Sequence, residues 1–295
     1  MRNEQHNNNG GNEVTIDFAL QVLDLSVALL FVSLGLRTRL ADTLLVFRNR
    51  ELGLRTLLAL YVFVPCCTLL MIWVFPLEPA LRAGLLAMAV APLCPILVRA
   101  ATEPETKVDL IFPLQLFAAV CAIIALPIMV AAAERIFDFP TQYPVDKVIW
   151  FILRQIGLPL ALGIVLSPLL GDWSGKITPW LDRIGNILLT AGVLMILYIV
   201  LPDIWGMMVN GRVLYVAAFT AILVASGYLF GGPKRGIRDT LIMANVQRHP
   251  GITYLIATNV LPNEEAPIFA VIVIFAIVGT VATLPFITKP SKQET

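Results

Sequence analysis

Two apolar stretches of this chain, residues 81–102 and 237–258, align without a gap at a constant offset of 156. Each is broken near its middle by proline: Pro92-Leu93-Cys94-Pro95 lies opposite Arg248-His249-Pro250-Gly251. Six pairs are identical, namely Arg82/Arg238, Leu85/Leu241, Val90/Val246, Ile96/Ile252, Ala101/Ala257 and Thr102/Thr258. Proline removes a backbone donor and clashes with the preceding turn. In an apolar segment the freed backbone groups must therefore find protein or water. A pair of interrupted helices at corresponding positions of two halves points to a transport site.

The medium follows from composition. Of 295 residues 58% are hydrophobic and 14% charged, and the mean hydropathy is +0.83. That leaves too little polar surface for a soluble globule of this size. At about 20 apolar residues per crossing, nine spans are expected: 16–36, 52–75, 80–100, 107–133, 147–169, 180–201, 212–231, 237–260 and 265–288. The fold class is all-α and integral to a lipid bilayer. A net charge of +1 in short loops of mixed sign gives no reason to expect nucleic acid as a partner.

Basic residues orient the spans, because cytoplasmic loops accumulate Lys and Arg. Arg37, Arg39, Arg48, Arg50 and Arg55 fill the first loop, and alternate connections carry Arg99 with Lys107, Lys176 with Arg183, and Lys234-Arg235 with Arg238. The tail ends with Lys289 and Lys292. Residues 1–13 read as a disordered N-terminal tail outside the cell and 289–295 as a cytoplasmic tail. Between them lie a first unit of four helices (14–133), an external linker (134–146) and a second unit of five (147–288). Five crossings separate the two broken helices, which therefore run in opposite directions, as in an inverted repeat. Ile111-Phe112 and Leu126-Pro127 echo Ile268-Phe269 and Leu284-Pro285 at nearly the same offset.

Candidate site residues cluster at the breaks. Arg248 supplies positive charge for an anionic substrate, or bonds the freed carbonyls of its own helix. His249 titrates near neutral pH and could carry protons, or else packs as a satisfied side chain. Asn245, Gln247 and Thr253 flank the same break, with Pro92 and Cys94 opposite, and Gln115 lies deep in the fourth span. Amides at such depth bind substrate or hold helices together. Asp24 lies a turn or more inside the first span, so it carries a coupling ion or pairs within the bundle. Cys66, Cys67, Cys94 and Cys121 sit in apolar runs without metal-ligand spacing and read as small buried hydrophobes. The chain carries no G-x-S-x-G, no H-E-x-x-H and no Gly-rich loop followed by Lys, so an enzyme is not expected. No cofactor is implied beyond a coupling sodium ion or proton.

From about Phe31 to Pro285 the chain resembles the bile acid:sodium symporter family, within the group that includes arsenite and auxin-type carriers. The matching pieces are Phe31 to Leu36 with its Gly-Leu, Pro65, Ala83-Gly84, Pro92, Leu158-Pro159-Leu160-Ala161-Leu162-Gly163 and Ala266-Pro267. The resemblance implies a core domain with two crossed, broken helices beside a panel domain, and a secondary active transporter working by alternating access in the cytoplasmic membrane. Relatives commonly have ten helices, and the first is lacking here. Where sodium-coupled relatives read Glu-x-Gly-x-Gln-Asn, this chain reads Ala244-Asn245-Val246-Gln247-Arg248-His249, with alanine at the carboxylate position. The polar stretch after the first proline is replaced by Leu93-Cys94-Pro95-Ile96-Leu97-Val98.

The expected substrate is therefore a small organic anion, carried by a protein that is plausibly a monomer, with coupling to sodium by resemblance, or to protons or to nothing by residue loss. The alternative is a non-transporting sensor or scaffold on the same fold, its cavity filled by Leu93, Ile96, Leu97 and Tyr254. A channel would need a continuous polar pore, for which intramembrane polar residues are too scarce.

Overall fold

A computed structural model of the chain describes residues 2–37, 45–93, 113–114, 116–118, 120–122, 124–125, 128, 135, 150, 153–261 and 264–287, and from residue 18 onward most of their side chains. Among these residues it is helical throughout, with one isolated backbone bridge and no strand. The helices are α1 (Arg2–Arg37), α2 (Arg50–Val74), α3 (Pro79–Val90), α4 (Leu153–Leu170), α5 (Asp172–Val209), α6 (Val213–Phe230), α7 (Arg235–Val246), α8 (Pro250–Val260) and α9 (Glu265–Ile287). A one-turn helix, Leu45–Arg48, precedes α2.

Among the described residues six stretches are long and apolar enough to cross a membrane: Phe18–Arg37, Arg50–Val74, Leu153–Leu170, Asp172–Val209, Val213–Phe230 and Glu265–Phe286. Their outward faces are apolar: Leu169, Trp73 and Tyr198 are 76%, 75% and 82% exposed. Such a surface is stable only against lipid. The two expected spans 80–100 and 237–260 are interrupted. The first contributes α3, which ends at Val90, and the second is split into α7 and α8. Most of span 107–133 lies outside the described residues. At the start, α1 runs back through the Asn-rich stretch expected to be disordered. A helix nucleated by the apolar run from Phe18 extends at one backbone bond per residue, which favours its continuation.

The chain forms two compact units, residues Met1–Leu40 with Trp150–Trp205, and residues Ala41–Ile149 with Gly206–Thr295. In the first, α1 packs on α4 through two glycines. A Cβ on Gly35 would lie 2.5 Å from Leu160 O, and one on Gly163 would lie 2.8 Å from Gly35 Cα. Only glycine allows the two backbones to approach this closely. Asp182 accepts hydrogen bonds from Ser33 Oγ and Arg37, and Gln155 Nε2 donates to both Asp24 Oδ1 and Asp24 O at 3.0 Å.

In the second unit α3 packs on α8 and α9, and α6 on α7 and α9. Phe219 and Phe275 stack with centroids 5.6 Å apart, and a Cβ on Gly84 would meet Val271 Cγ1 at 2.9 Å. Arg212 pairs with Glu78 at the unit's edge.

Two prolines reshape their own helices in the same way. Pro65 cannot donate to the carbonyl of Tyr61, four residues earlier, and α2 opens into a π-helical turn at Ala59–Phe63. Pro159 likewise cannot reach Gln155, and α4 opens at Leu153–Gly157. In α2 the carbonyl of Ala59 is taken up by Ser226 Oγ at 2.9 Å. The cysteines depart from the buried reading: Cys66 is exposed, Cys67 and Cys121 are half-buried, and Cys94 lies outside the described residues. Thiols on outward helix faces are tolerated because the surrounding medium is apolar.

Candidate functional site

Within the second unit α3 and α7 are both 12 residues long, and their first residues, Pro79 and Arg235, stand 156 positions apart, as do their last, Val90 and Val246. Each helix stops where proline or extended backbone follows, and the two breaks meet. Leu93 and Arg248 form an antiparallel bridge, and His249 N donates to Pro92 O at 2.9 Å. The backbone groups freed by one interruption thus partly satisfy those freed by the other.

Arg248 is 5% exposed, and its Nη1 donates to Ala91 O at 2.9 Å, at the C-terminal end of α3. Among the described residues its Nε and Nη2 have no hydrogen-bond partner and the side chain makes no ion pair. A buried cation is costly unless a partner or water compensates it. The N-terminus of α8 opens beside it and adds the positive end of a helix dipole.

His249 is the N-cap of α8, its Nδ1 accepting from Ile252 N at 3.4 Å, with Pro250 at the first helical position. The lone pair that would take up a proton at Nδ1 is committed to this cap. Thr253 is buried and donates through Oγ1 to His249 O at 2.9 Å, tightening the same turn. Asn245 is fully buried. Its Nδ2 donates to Leu223 O at 3.2 Å, and its Oδ1 has no partner among the described residues. Gln247 is buried and caps α7, its N–H shared between Met243 O and Ala244 O.

Pro92, Arg248, His249, Asn245, Gln247 and Thr253 are therefore brought together around one crossing. Gln115 and Cys94 lie outside the described residues. Asp24 belongs to the first unit, where Gln155 holds it.

Tyr61, not among the expected site residues, stands in the π-helical turn of α2 with its hydroxyl donating to Ala118 O. It packs with Leu93 and Ala244 and interacts electrostatically with Arg248. The signal available in the sequence was Pro65, whose missing donor falls on Tyr61. Of the residues expected to fill the cavity in a non-transporting protein, Leu93 is buried and Tyr254 stacks on Phe269 at 4.4 Å. Ile96 and Leu97 lie outside the described residues.

Residues 25–206 match the Sodium Bile acid symporter family. The match covers well over half of the chain, which belongs to that family: it is a multi-pass, helical membrane protein of a transporter family. No curated protein is similar enough to match it.

Sodium, which the family's name carries, was tested against the donors present. Hard cations are held by several oxygen ligands. Here Ala244, Val246 and Leu93 offer no side-chain oxygen, and Ala91 O and Pro92 O already accept from Arg248 and His249. Among the described side chains at the crossing, the amide oxygens of Asn245 and Gln247 and the Thr253 hydroxyl remain. Among the described residues no group of three acidic, His or Cys side chains could hold a metal ion. This donor set does not fit a sodium site.

Proposed function

We propose that this protein is a secondary active transporter that carries a small organic anion across the cytoplasmic membrane by alternating access. The observation that carries the reading is Arg248: a cation buried where two interrupted helices meet, with two of its donor groups unused and no acid paired with it among the described residues. A positive charge buried at membrane depth is stabilised when substrate supplies the negative charge. The non-transporting alternative gives those donors no role.

The wider reading has nine spans, with residues 14–133 and 147–288 as inverted units of four and five helices joined by an external linker at 134–146. The N-terminus is outside, the C-terminus cytoplasmic, and the protein functions as a monomer. The common 156-residue offset of α3 and α7 supports the repeat. Asn245, Gln247 and Thr253 line or position the site, and Gln115 and Cys94 are assigned to it on sequence grounds.

The test is uptake into proteoliposomes of a panel of radiolabelled organic anions, under imposed sodium and proton gradients. Wild type accumulates at least one anion and Arg248→Gln does not, at equal incorporation. Equal uptake by both proteins would remove Arg248 from the site.

A further inference from the structure

We infer that Arg248 takes the place of sodium as the positive charge of the site: a cation tethered to the chain, which lets the site bind a carboxylate without sodium. This rests on the reading of the crossing as an anion site, and it concerns what supplies the positive charge and what shape of anion fits it.

The crossing is where α3 and α7 end, so two sets of C-terminal carbonyls, the negative poles of their helices, converge on it. Such a place invites a cation. The one present is covalent, since Arg248 Nη1 donates to Ala91 O and takes the position over the end of α3 that a free ion would otherwise occupy. A sodium ion there would face a guanidinium at low dielectric, and like charges repel strongly in that setting. The side-chain oxygens described at the crossing, on Asn245, Gln247 and Thr253, include no carboxylate and so do little to offset the loss of hydration.

The guanidinium's orientation further narrows the anion. With Nη1 held by Ala91 O, the donors without a partner among the described residues are Nε and Nη2. These two share one edge of the planar group and present two parallel N–H vectors, the arrangement that pairs with both oxygens of a carboxylate. A neutral solute leaves the charge uncompensated.

The full chain, purified in detergent, is followed by thermal unfolding while propionate, benzoate and cholate are titrated, first as N-methylglucamine salts and then as sodium salts at matched ionic strength. Binding of radiolabelled sodium is measured in parallel. At least one carboxylate stabilises the protein without sodium, and adding sodium changes its half-maximal concentration by less than about two-fold. Arg248→Gln raises that concentration about ten-fold or more, the loss expected for charge-assisted hydrogen bonds. Arg248→Lys, with the charge but not the planar fork, falls between.

Saturable sodium binding by wild type, or carboxylate stabilisation that appears only with sodium, overturns the inference and leaves the anion reading standing. Undiminished carboxylate binding by Arg248→Gln also overturns it. No stabilisation by any of the three in either salt, together with no uptake of any anion in the transport panel, defeats both. Should Arg248→Gln fail to fold, the wild-type sodium comparison and Arg248→Lys decide the matter.

Discussion

Replacing Gly163 with Ala tests the contact on which the first unit is built. The new Cβ would fall 2.8 Å from Gly35 Cα and 2.9 Å from Leu36 N, and would press on Val32 O, where ordinary contact begins at 3.4–4 Å. All three obstacles are backbone, so no side-chain rotation relieves them, and α1 and α4 must separate by roughly 1 Å or more to clear the closest, Val32 O. Overpacking of this kind costs about 1–3 kcal/mol. The gain in helix propensity from Gly to Ala returns about 1 kcal/mol. The net loss is up to about 2 kcal/mol, and at about 2–4 °C per kcal/mol the unfolding midpoint falls by up to about 8 °C. Tryptophan fluorescence in detergent reads this directly. Gly206→Ala is the control, because nothing lies within 4 Å of its Cβ, and its midpoint rises by up to about 4 °C. Gly35→Ala combined with Gly163→Ala costs less than the sum of the two, since the first substitution already parts the helices. A midpoint for Gly163→Ala at or above wild type would show that the α1–α4 contact is not as close as described.

His249→Leu removes the acceptor that caps α8 and lowers the midpoint by about 2–4 °C, for a cap worth about 1 kcal/mol. His249→Asn keeps an acceptor, so it retains both stability and the pH profile of uptake between about 5 and 8; a flattened profile would instead assign His249 to proton coupling. Asp24→Asn keeps the oxygen that accepts from Gln155 and leaves the midpoint and the uptake unchanged, whereas loss of uptake at full stability would make Asp24 a coupling residue. Gln155→Leu removes two interhelical hydrogen bonds at about 0.6 kcal/mol each, a fall of about 2–4 °C in the unfolding midpoint.

The α3 and α7 boundaries were legible to within a residue or two, because proline interrupts a helix through its own missing donor and needs no tertiary partner to do so. The meeting of the breaks was readable for a related reason, since backbone groups freed in an apolar medium must pair. Asp24 was harder. Its depth in the first span was evident, but whether it faced an ion or an amide depended on Gln155, which lies 131 residues away. The cysteines failed differently: apolar neighbours in sequence read as burial, yet in lipid an apolar residue is equally stable facing outward, and Cys66 does so.

Tyr61 shows what lay beyond sequence reading. Pro65 stood in the sequence only as a piece of the resemblance, and that the π-helical turn beside it would bury the Tyr61 hydroxyl against Ala118 O was not legible there. His249 could be listed as a proton carrier or a packing residue, and only the 3.4 Å approach of Ile252 N made it a cap. By itself, the sequence determined the medium, the helical class, the two interruptions and their correspondence, because hydropathy and proline act within a single segment. Tertiary structure alone decided which donors of Arg248 are used and which are left for a ligand, because that is set by the Ala91 carbonyl, 157 residues earlier in the chain.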